Sequence, residues 1–327
     1  MRTYFLGELL MRLECENLER FEQAEHFRIR YTGAEANAAI AMCSLGAENV
    51  FLLSAVPDNP LGRSCLGELR RYGPDTSLVR RVPGGGRLGL FFLETGTSLR
   101  PSQVVYDRAN SVFAGCPAEQ YGFAEIFRNS PGGGWLHFSG TLPALSPVCR
   151  EVALEAVREA KAAGFTVSFD LNYRSALWSA AEAGEMFRLL ARDADVLISN
   201  AGVAESFLET PEAELCGRFG FRAAALTRRG EEDGSHTSFG GTLYRPDGSR
   251  SDAPLTSFAV LDRVGGGDAF AGGMIHALQQ EDWTDEYRIR FAAACGALKH
   301  ATRGDFSLST KKDVESLLSG GSLAIRR

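Results

Sequence analysis

Asp262-Arg263-Val264-Gly265-Gly266-Gly267-Asp268-Ala269-Phe270-Ala271-Gly272-Gly273 follows a short apolar run, Ser257–Leu261, and opens a stretch whose periodicity predicts a helix to about Gln280. Three consecutive glycines leave backbone N–H groups free to converge on an anion, with the positive end of the helix dipole behind them. Asp268 stands where those amides end. A carboxylate beside an anion site is costly unless it has a task, and the base for a hydroxyl attacking a phosphoryl group needs that place. Asp268, with Gly265, Gly266 and Gly267, is therefore the candidate catalytic group. Gly272 and Gly273 each cost about 1 kcal/mol relative to alanine inside a helix. They predict close packing against a neighbouring backbone or access for a nucleotide. Two other glycine clusters, Pro83–Gly86 and Pro131–Gly134, carry no acid at the matching offset and read as turns. Neither G-x-G-x-x-G after the first strand nor G-x-x-x-x-G-K-[ST] is present, which disfavours dehydrogenases and P-loop enzymes.

Upstream of this stretch, from residue 134, apolar strands alternate with helices. Trp135–Phe138 reads as a strand. The helix after it has Ser146 as N-cap, Pro147 at its first position and Gly164 as its stop, with Val148, Val152, Ala156 and Val157 as the buried stripe. Strand Thr166–Asp170, a helix over Ala180–Ala191, strand Asp195–Ser199 and strand Ala223–Thr227 follow. This alternation predicts an α/β fold, a doubly wound and mostly parallel sheet flanked by helices. Ligands of such sheets bind beyond the carboxyl ends of the strands, which puts Asp170–Arg174, Asn200 and Thr227-Arg228 on one rim.

The first 113 residues read differently. A strand over Tyr4–Leu9 leads into a polar stretch, a helix from Gly33 to Leu45, strand Val50–Val56 and a helix over Arg63–Tyr72. Ser77–Val82, Leu88–Glu94 and Gln103–Asp107 then read as consecutive strands with no helix between them, a small antiparallel sheet attached to the parallel one. No repeat or long linker divides the chain, so residues 1–327 read as a single domain. Its lid is built from parts of 8–32 and 77–113.

With 327 residues, 44% hydrophobic and 23% charged, the chain can bury a sizeable core. Its net charge of −6 disfavours nucleic-acid binding, and no apolar run is long enough to span a membrane. The N-terminus lacks the pattern of a signal peptide. Seven scattered cysteines without a C-x-x-C pair suit reduced thiols in the cytoplasm, and the five histidines show no metal-binding spacing.

Asp262–Gly273 resembles the C-terminal signature of the ribokinase-like, or phosphofructokinase-B, sugar kinases. The likeness runs through nearly the whole chain. Thr32–Ala39 resembles the N-terminal substrate motif of that family, and Val56–Gly62 its G-x-D-x-x-G turn with Pro57 in place of the first glycine. Gln103–Ala109 and Phe169–Arg174, with Trp178 following, are most similar to 2-keto-3-deoxygluconate kinases. The resemblance implies a ribokinase-like fold with the β-sheet as lid and dimer interface. It also implies phosphoryl transfer from ATP with Mg²⁺ to a sugar acid, and it allows a monovalent cation.

The resemblance further implies that Gly33, Asn37, Phe91, Tyr106, Arg108, Arg174, Asp268 and Asp305 bind the sugar. Asn172, Arg174, Thr227, Arg228, Gly230, Gly265 and Gly267 would bind ATP. The residue types agree with an acidic substrate, because a guanidinium holds a carboxylate by two parallel N–H···O bonds that a neutral sugar cannot accept. Besides Pro57, three positions depart from the family. Phe91 stands where this subfamily often has tyrosine. Gly266 replaces the usual alanine, a change expected to loosen the loop. The run Asn200-Ala201-Gly202-Val203-Ala204-Glu205 lacks the acid of the usual N-x-x-E, so no metal ligand is assigned and Asn200 is left as a candidate organiser of Mg²⁺-bound water. Three functions remain open at this point: a 2-keto-3-deoxygluconate kinase acting on the 6-hydroxyl, a neutral-sugar kinase of fructokinase type, and a non-catalytic sugar- or nucleotide-binding derivative.

Overall fold

The computed structural model describes residues 1–130, 132–230 and 235–320. Pro131, the first residue of one expected glycine turn, lies outside the described residues, while Gly132 and Gly133 both adopt positive φ. The strands in chain order are β1 (Arg2–Leu6), β2 (Leu10–Cys15), β3 (Phe27–Thr32), β4 (Val50–Leu53), β5 (Ala55–Pro57), β6 (Arg80–Val82) and β7 (Gly89–Glu94). They continue with β8 (Gln103–Asp107), β9 (Gly134–Ser139), β10 (Thr166–Asp170), β11 (Val196–Asn200), β12 (Ala223–Arg229), β13 (His236–Tyr244) and β14 (Arg250–Ala259).

The large sheet runs β14-β13-β12-β11-β10-β9-β1-β4. From β4 to β12 all neighbours are parallel, and β13 and β14 add an antiparallel edge. Alternation along each strand divides the core between the two faces. Leu136, Phe138, Leu197, Ala224 and Leu226 pack on one side. Trp135, Val196, Ile198, Ala223 and Ala225 pack on the other, together with Phe270 and Ile275. Burial on both faces is why these strands read as near-continuous apolar runs.

Helix signals in the sequence are met at the atomic level. Ser146 accepts a hydrogen bond from the Cys149 N–H at 3.0 Å, the Pro147–Ala162 helix follows, and Gly164 adopts φ 73° just past its end. The Gly266–Leu278 helix packs on the Ala34–Ser44 helix so tightly that a Cβ on Gly272 would lie 2.3 Å from the Ala38 carbonyl oxygen. Close packing, rather than nucleotide access, accounts for that glycine. No helix among the described residues is long and apolar enough to cross a membrane. The seven cysteines are free thiols.

The lid differs from the expected one in two ways. Its order is β3-β2-β7-β8, and β2 pairs with β7 in parallel, so the sheet is mixed rather than antiparallel. Of Ser77–Val82 only Arg80–Val82 is a strand, and it pairs with β5 outside the lid. The polar stretch after β1 supplies the missing half of the lid as β2 and β3, whose outer residues face water and so hide the apolar alternation. Helices Asp285–Lys299 and Lys311–Leu318, together with β13, carry the chain beyond the elements read from sequence.

Candidate active site

The carboxyl ends of β9 to β12, the start of the Ala34–Ser44 helix, the glycine turn and the inner face of the lid enclose one cleft of about 450 Å³. Asp268, the third residue of its helix, forms the floor. Asn37 Nδ2 donates to Asp268 Oδ2 at 2.7 Å, and Thr32 Oγ1 donates to Asn37 Oδ1 at 2.9 Å. This relay fixes the Asn37 amide and holds one Asp268 oxygen, leaving Oδ1 without a hydrogen bond among the described residues. Loss of water pushes the Asp268 carboxyl up to about 6, against the pull of Asn37 and of the positive charges on Arg174 and Lys299. Asp170, at the end of β10, is pushed up to about 7 by burial and by the Asp268 charge. Burial likewise raises Glu35 to about 7, although Glu35 Oε1 accepts the Ser139 N–H at 2.9 Å. A base with a pKa near 6 is mostly ionised at neutral pH and still willing to take a proton.

The glycine turn is shaped by its neighbours. Gly265 adopts φ 87°, and a Cβ there would fall 2.0 Å from the Asp305 carbonyl oxygen. A Cβ on Gly266 would meet His300 Cε1 at 2.3 Å. The His300 ring, whose Nδ1 lies 2.7 Å from the Gly296 carbonyl oxygen, therefore fills the space of the alanine methyl that the sequence comparison expected. The turn is not loosened by Gly266. The first N–H groups of the helix have no partner within it, and Gly265, Gly266, Gly267 and Asp268 all line the cleft.

On the nucleotide side, Asn172, Arg174 and Thr227 line the cleft as expected. Asn172 adopts φ 34°, and its N–H donates to Asp170 Oδ1 at 3.1 Å. Arg174 is exposed and its guanidinium forms no hydrogen bond among the described residues, while its charge acts on both Asp170 and Asp268. Arg228 and Gly230 do not line the cleft. Because β12 continues to Arg229, Arg228 turns to the opposite face, where it donates to Thr242 Oγ1 at 2.9 Å and to Glu212. Arg229 reaches the cleft instead. Asn200 lines the cleft and accepts the Gly202 N–H at 3.0 Å as the cap of the following helix, and Val203 also faces the cleft. Glu205 is exposed and outside the lining. Among the described residues no group of three or more His, Cys, Asp or Glu side chains could hold a metal ion.

On the lid side, Phe91, Tyr106 and Arg108 reach the cleft together with Gly33, Asn37 and Asp305. Arg108 is buried and already ion-paired within the protein. Its Nε donates to buried Glu8 at 2.7 Å, which leaves the two Nη groups for a ligand, and the guanidinium carbon lies 5.8 Å from the Tyr106 ring centre. Asp305 is likewise engaged. One of its oxygens is ion-paired to Arg12, which also donates to Asp262 Oδ2 at 3.1 Å, while its other oxygen is buried without a partner.

Glu8, Arg12, Glu35 and Arg229 were not singled out from sequence. Alternation from Thr227 signals Arg229. No local signal marks Glu8 or Arg12, whose partners lie 100 and 293 residues away.

The chain matches the profile of the pfkB family carbohydrate kinases over residues 3–311. A 2-dehydro-3-deoxygalactonokinase of Haloferax volcanii is 34% identical, covering 98% of each chain. The crystal structure of a 2-dehydro-3-deoxygluconokinase from Thermotoga maritima superposes with a TM-score of 0.91 at 32% identity, covering 98% of this chain and 100% of that one. A candidate ribokinase II from E. coli, in complex with ATP and Mg²⁺, has the same fold, with a TM-score of 0.82 at 20% identity over 98% of this chain and 99% of that one. Kinases of this family use ATP. This chain, with its ribokinase-like fold, belongs to the pfkB family of carbohydrate kinases.

Proposed function

We propose that the chain transfers the γ-phosphoryl group of ATP to the 6-hydroxyl of a 2-keto-3-deoxy sugar acid, with 2-keto-3-deoxygluconate as the leading substrate. The observation that carries this reading is the Arg108–Glu8 pair beside Tyr106. A carboxylate anchors the guanidinium by Nε on the lid side of the cleft, so its outer edge presents two parallel N–H donors to a substrate carboxylate. Two relatives more than 30% identical are named for the galactonate and the gluconate epimer, which differ in the configuration of one hydroxyl and share the acid end.

In the reaction the substrate hydroxyl oxygen attacks the γ-phosphorus while Asp268 takes its proton. The bond to the bridging oxygen of ADP breaks. The amides of the Gly265–Asp268 turn stabilise charge on the transferring group, and Arg174 meets the phosphates from the opposite rim. The rim would suit a Mg²⁺ ion that keeps its waters and arrives on the nucleotide, since it offers a carboxylate at Asp170 and an amide at Asn200 but no side-chain oxygen at Val203. It would supply charge neutralisation on the phosphate oxygens. The outer face of the lid exposes Phe27, Ile29 and Val105, which supports a homodimer formed through the lid, and the free thiols suit a reducing cytoplasm.

A coupled ADP-release assay over 2-keto-3-deoxygluconate, its galactonate epimer, fructose and ribose tests the substrate reading. The expected result is turnover of the acids with kcat/KM well above that of either neutral sugar. Preference for fructose or ribose would replace it with the neutral-sugar kinase.

A further inference from the structure

Lys299 is the last residue of the Asp285–Lys299 helix and fully buried, and so far only its charge has entered, as a pull on Asp268. Its Nζ donates to two backbone carbonyl oxygens, that of Asp262 at 3.2 Å and that of Thr302 at 3.1 Å. Those carbonyls belong to the two segments that shape the glycine turn. Asp262 begins the turn, with its Oδ1 accepting the Val264 N–H at 3.0 Å and its Oδ2 accepting the Gly304 N–H at 2.9 Å. Thr302 leads into the Gly304-Asp305 loop, whose Asp305 carbonyl is the neighbour that obliges position 265 to be glycine. The His300 carbonyl oxygen, one residue beyond Lys299, accepts the N–H groups of Leu261 and Asp262.

A buried ammonium is stable only when paired and hydrogen-bonded. Burial, helped by the Arg12 charge, holds the Lys299 pKa below the usual lysine value, and the compensation comes from the negative charges of Asp262, Asp305 and Asp268 and from the two carbonyl oxygens. Convergent backbone carbonyls are also how proteins replace the water shell of a potassium ion, and an ammonium group is close to potassium in size and equal to it in charge. The space beneath the turn is thus already filled by a covalently attached monovalent cation, and the residues present there do not fit a second one.

We propose that Lys299 is a positioning residue that serves as a built-in monovalent cation, holding the anion-binding glycine turn in register so that phosphoryl transfer needs no added K⁺. The proposal rests on the kinase reaction but not on the identity of the sugar. Its tests use ADP affinity as well as turnover, so a wrong substrate assignment would show in turnover alone.

The full chain would be assayed with Mg²⁺ and with tetramethylammonium as the only other cation, then with saturating K⁺ or NH₄⁺. ADP binding would be followed by calorimetry in the same buffers. Wild type should show the same kcat and the same ADP affinity in all three. Lys299→Ala empties the ammonium's place, and in tetramethylammonium should lose about 10–10²-fold in kcat, the scale of a small displacement of catalytic groups, with weaker ADP binding. K⁺ or NH₄⁺ should restore much of both. Wild-type activation by K⁺ would overturn the proposal. So would a folded Lys299→Ala chain that keeps its wild-type values, or one whose loss neither ion repairs. If Lys299→Ala does not fold, the cation response of wild type decides alone.

Discussion

The rim of the parallel sheet and the face of the lid enclose the same cleft but hold their charged groups by opposite means. On the rim, Asp268, Asp170 and Glu35 crowd together in a place short of water, and Arg174, whose charge acts on both aspartates, is exposed with no side-chain hydrogen bond among the described residues. On the lid, Arg108 and Arg12 are buried and each is met by a carboxylate, Glu8 for the first and Asp305, Asp262 and Glu14 for the second. An excess of acid suits proton abstraction, because it keeps a base from being too weak. A neutralised and immobile arginine suits recognition, because its fork is aimed before the ligand arrives. Under the proposed function the two regions divide the work, chemistry on the rim and charge reading on the lid.

The strongest way to break this division is at the floor. Asp268→Asn preserves shape and the neighbouring Asn37, so ADP and sugar-acid affinities by calorimetry should change little, while kcat should fall by about 10²–10⁴, the usual share of a positioned base. A variant that turns over like the parent would place the base elsewhere.

A smaller effect is expected at the turn. Gly266→Ala restores the residue usual in the family, yet its methyl would strike His300 at 2.3 Å. It should destabilise the fold by about 1–3 kcal/mol, the cost of overpacking, as read by urea denaturation. His300→Ala should recover part of that loss in the double variant, whereas additive losses would mean that the two sites do not share the space.

The smallest effect concerns the acid cluster. Glu35 has a raised folded-state pKa, near 7, so the folded state binds the proton more tightly than the unfolded chain. Stability contributed by the neutral form is then present at low pH and is lost as pH rises from the ordinary glutamate range toward 7. Glu35→Gln should flatten that part of the stability–pH curve. An unchanged curve would mean that Glu35 is ionised in the fold without cost.

The same contrast explains what could be read from the sequence. Rim residues lie at the ends of apolar strands and at a helix start, where local periodicity and capping chemistry mark them, so Asp268, Asn172 and Thr227 were placed in the cleft by number. Even there a strand two residues longer than expected was enough to turn Arg228 away and bring Arg229 in. In the lid, β2 and β3 alternate between an inner face and water, and their sequence reads as a polar stretch. Arg12 was invisible because a buried arginine and an exposed one look alike until partners from residues 262 and 305 are brought beside it. Gly266 carries the same lesson, since its meaning lies in His300 from another helix end.

The division of labour is tested most directly by the ratio of kcat/KM for 2-keto-3-deoxygluconate to that for fructose, measured in wild type and in Arg108→Ala. Removing a charge-assisted partner from a closed site costs about 1.5–3 kcal/mol, so the ratio should fall by roughly 10–150-fold. Most of that fall should come from the acid. Equal losses on the charged and the neutral sugar would contradict the account, because the lid would then not be reading charge.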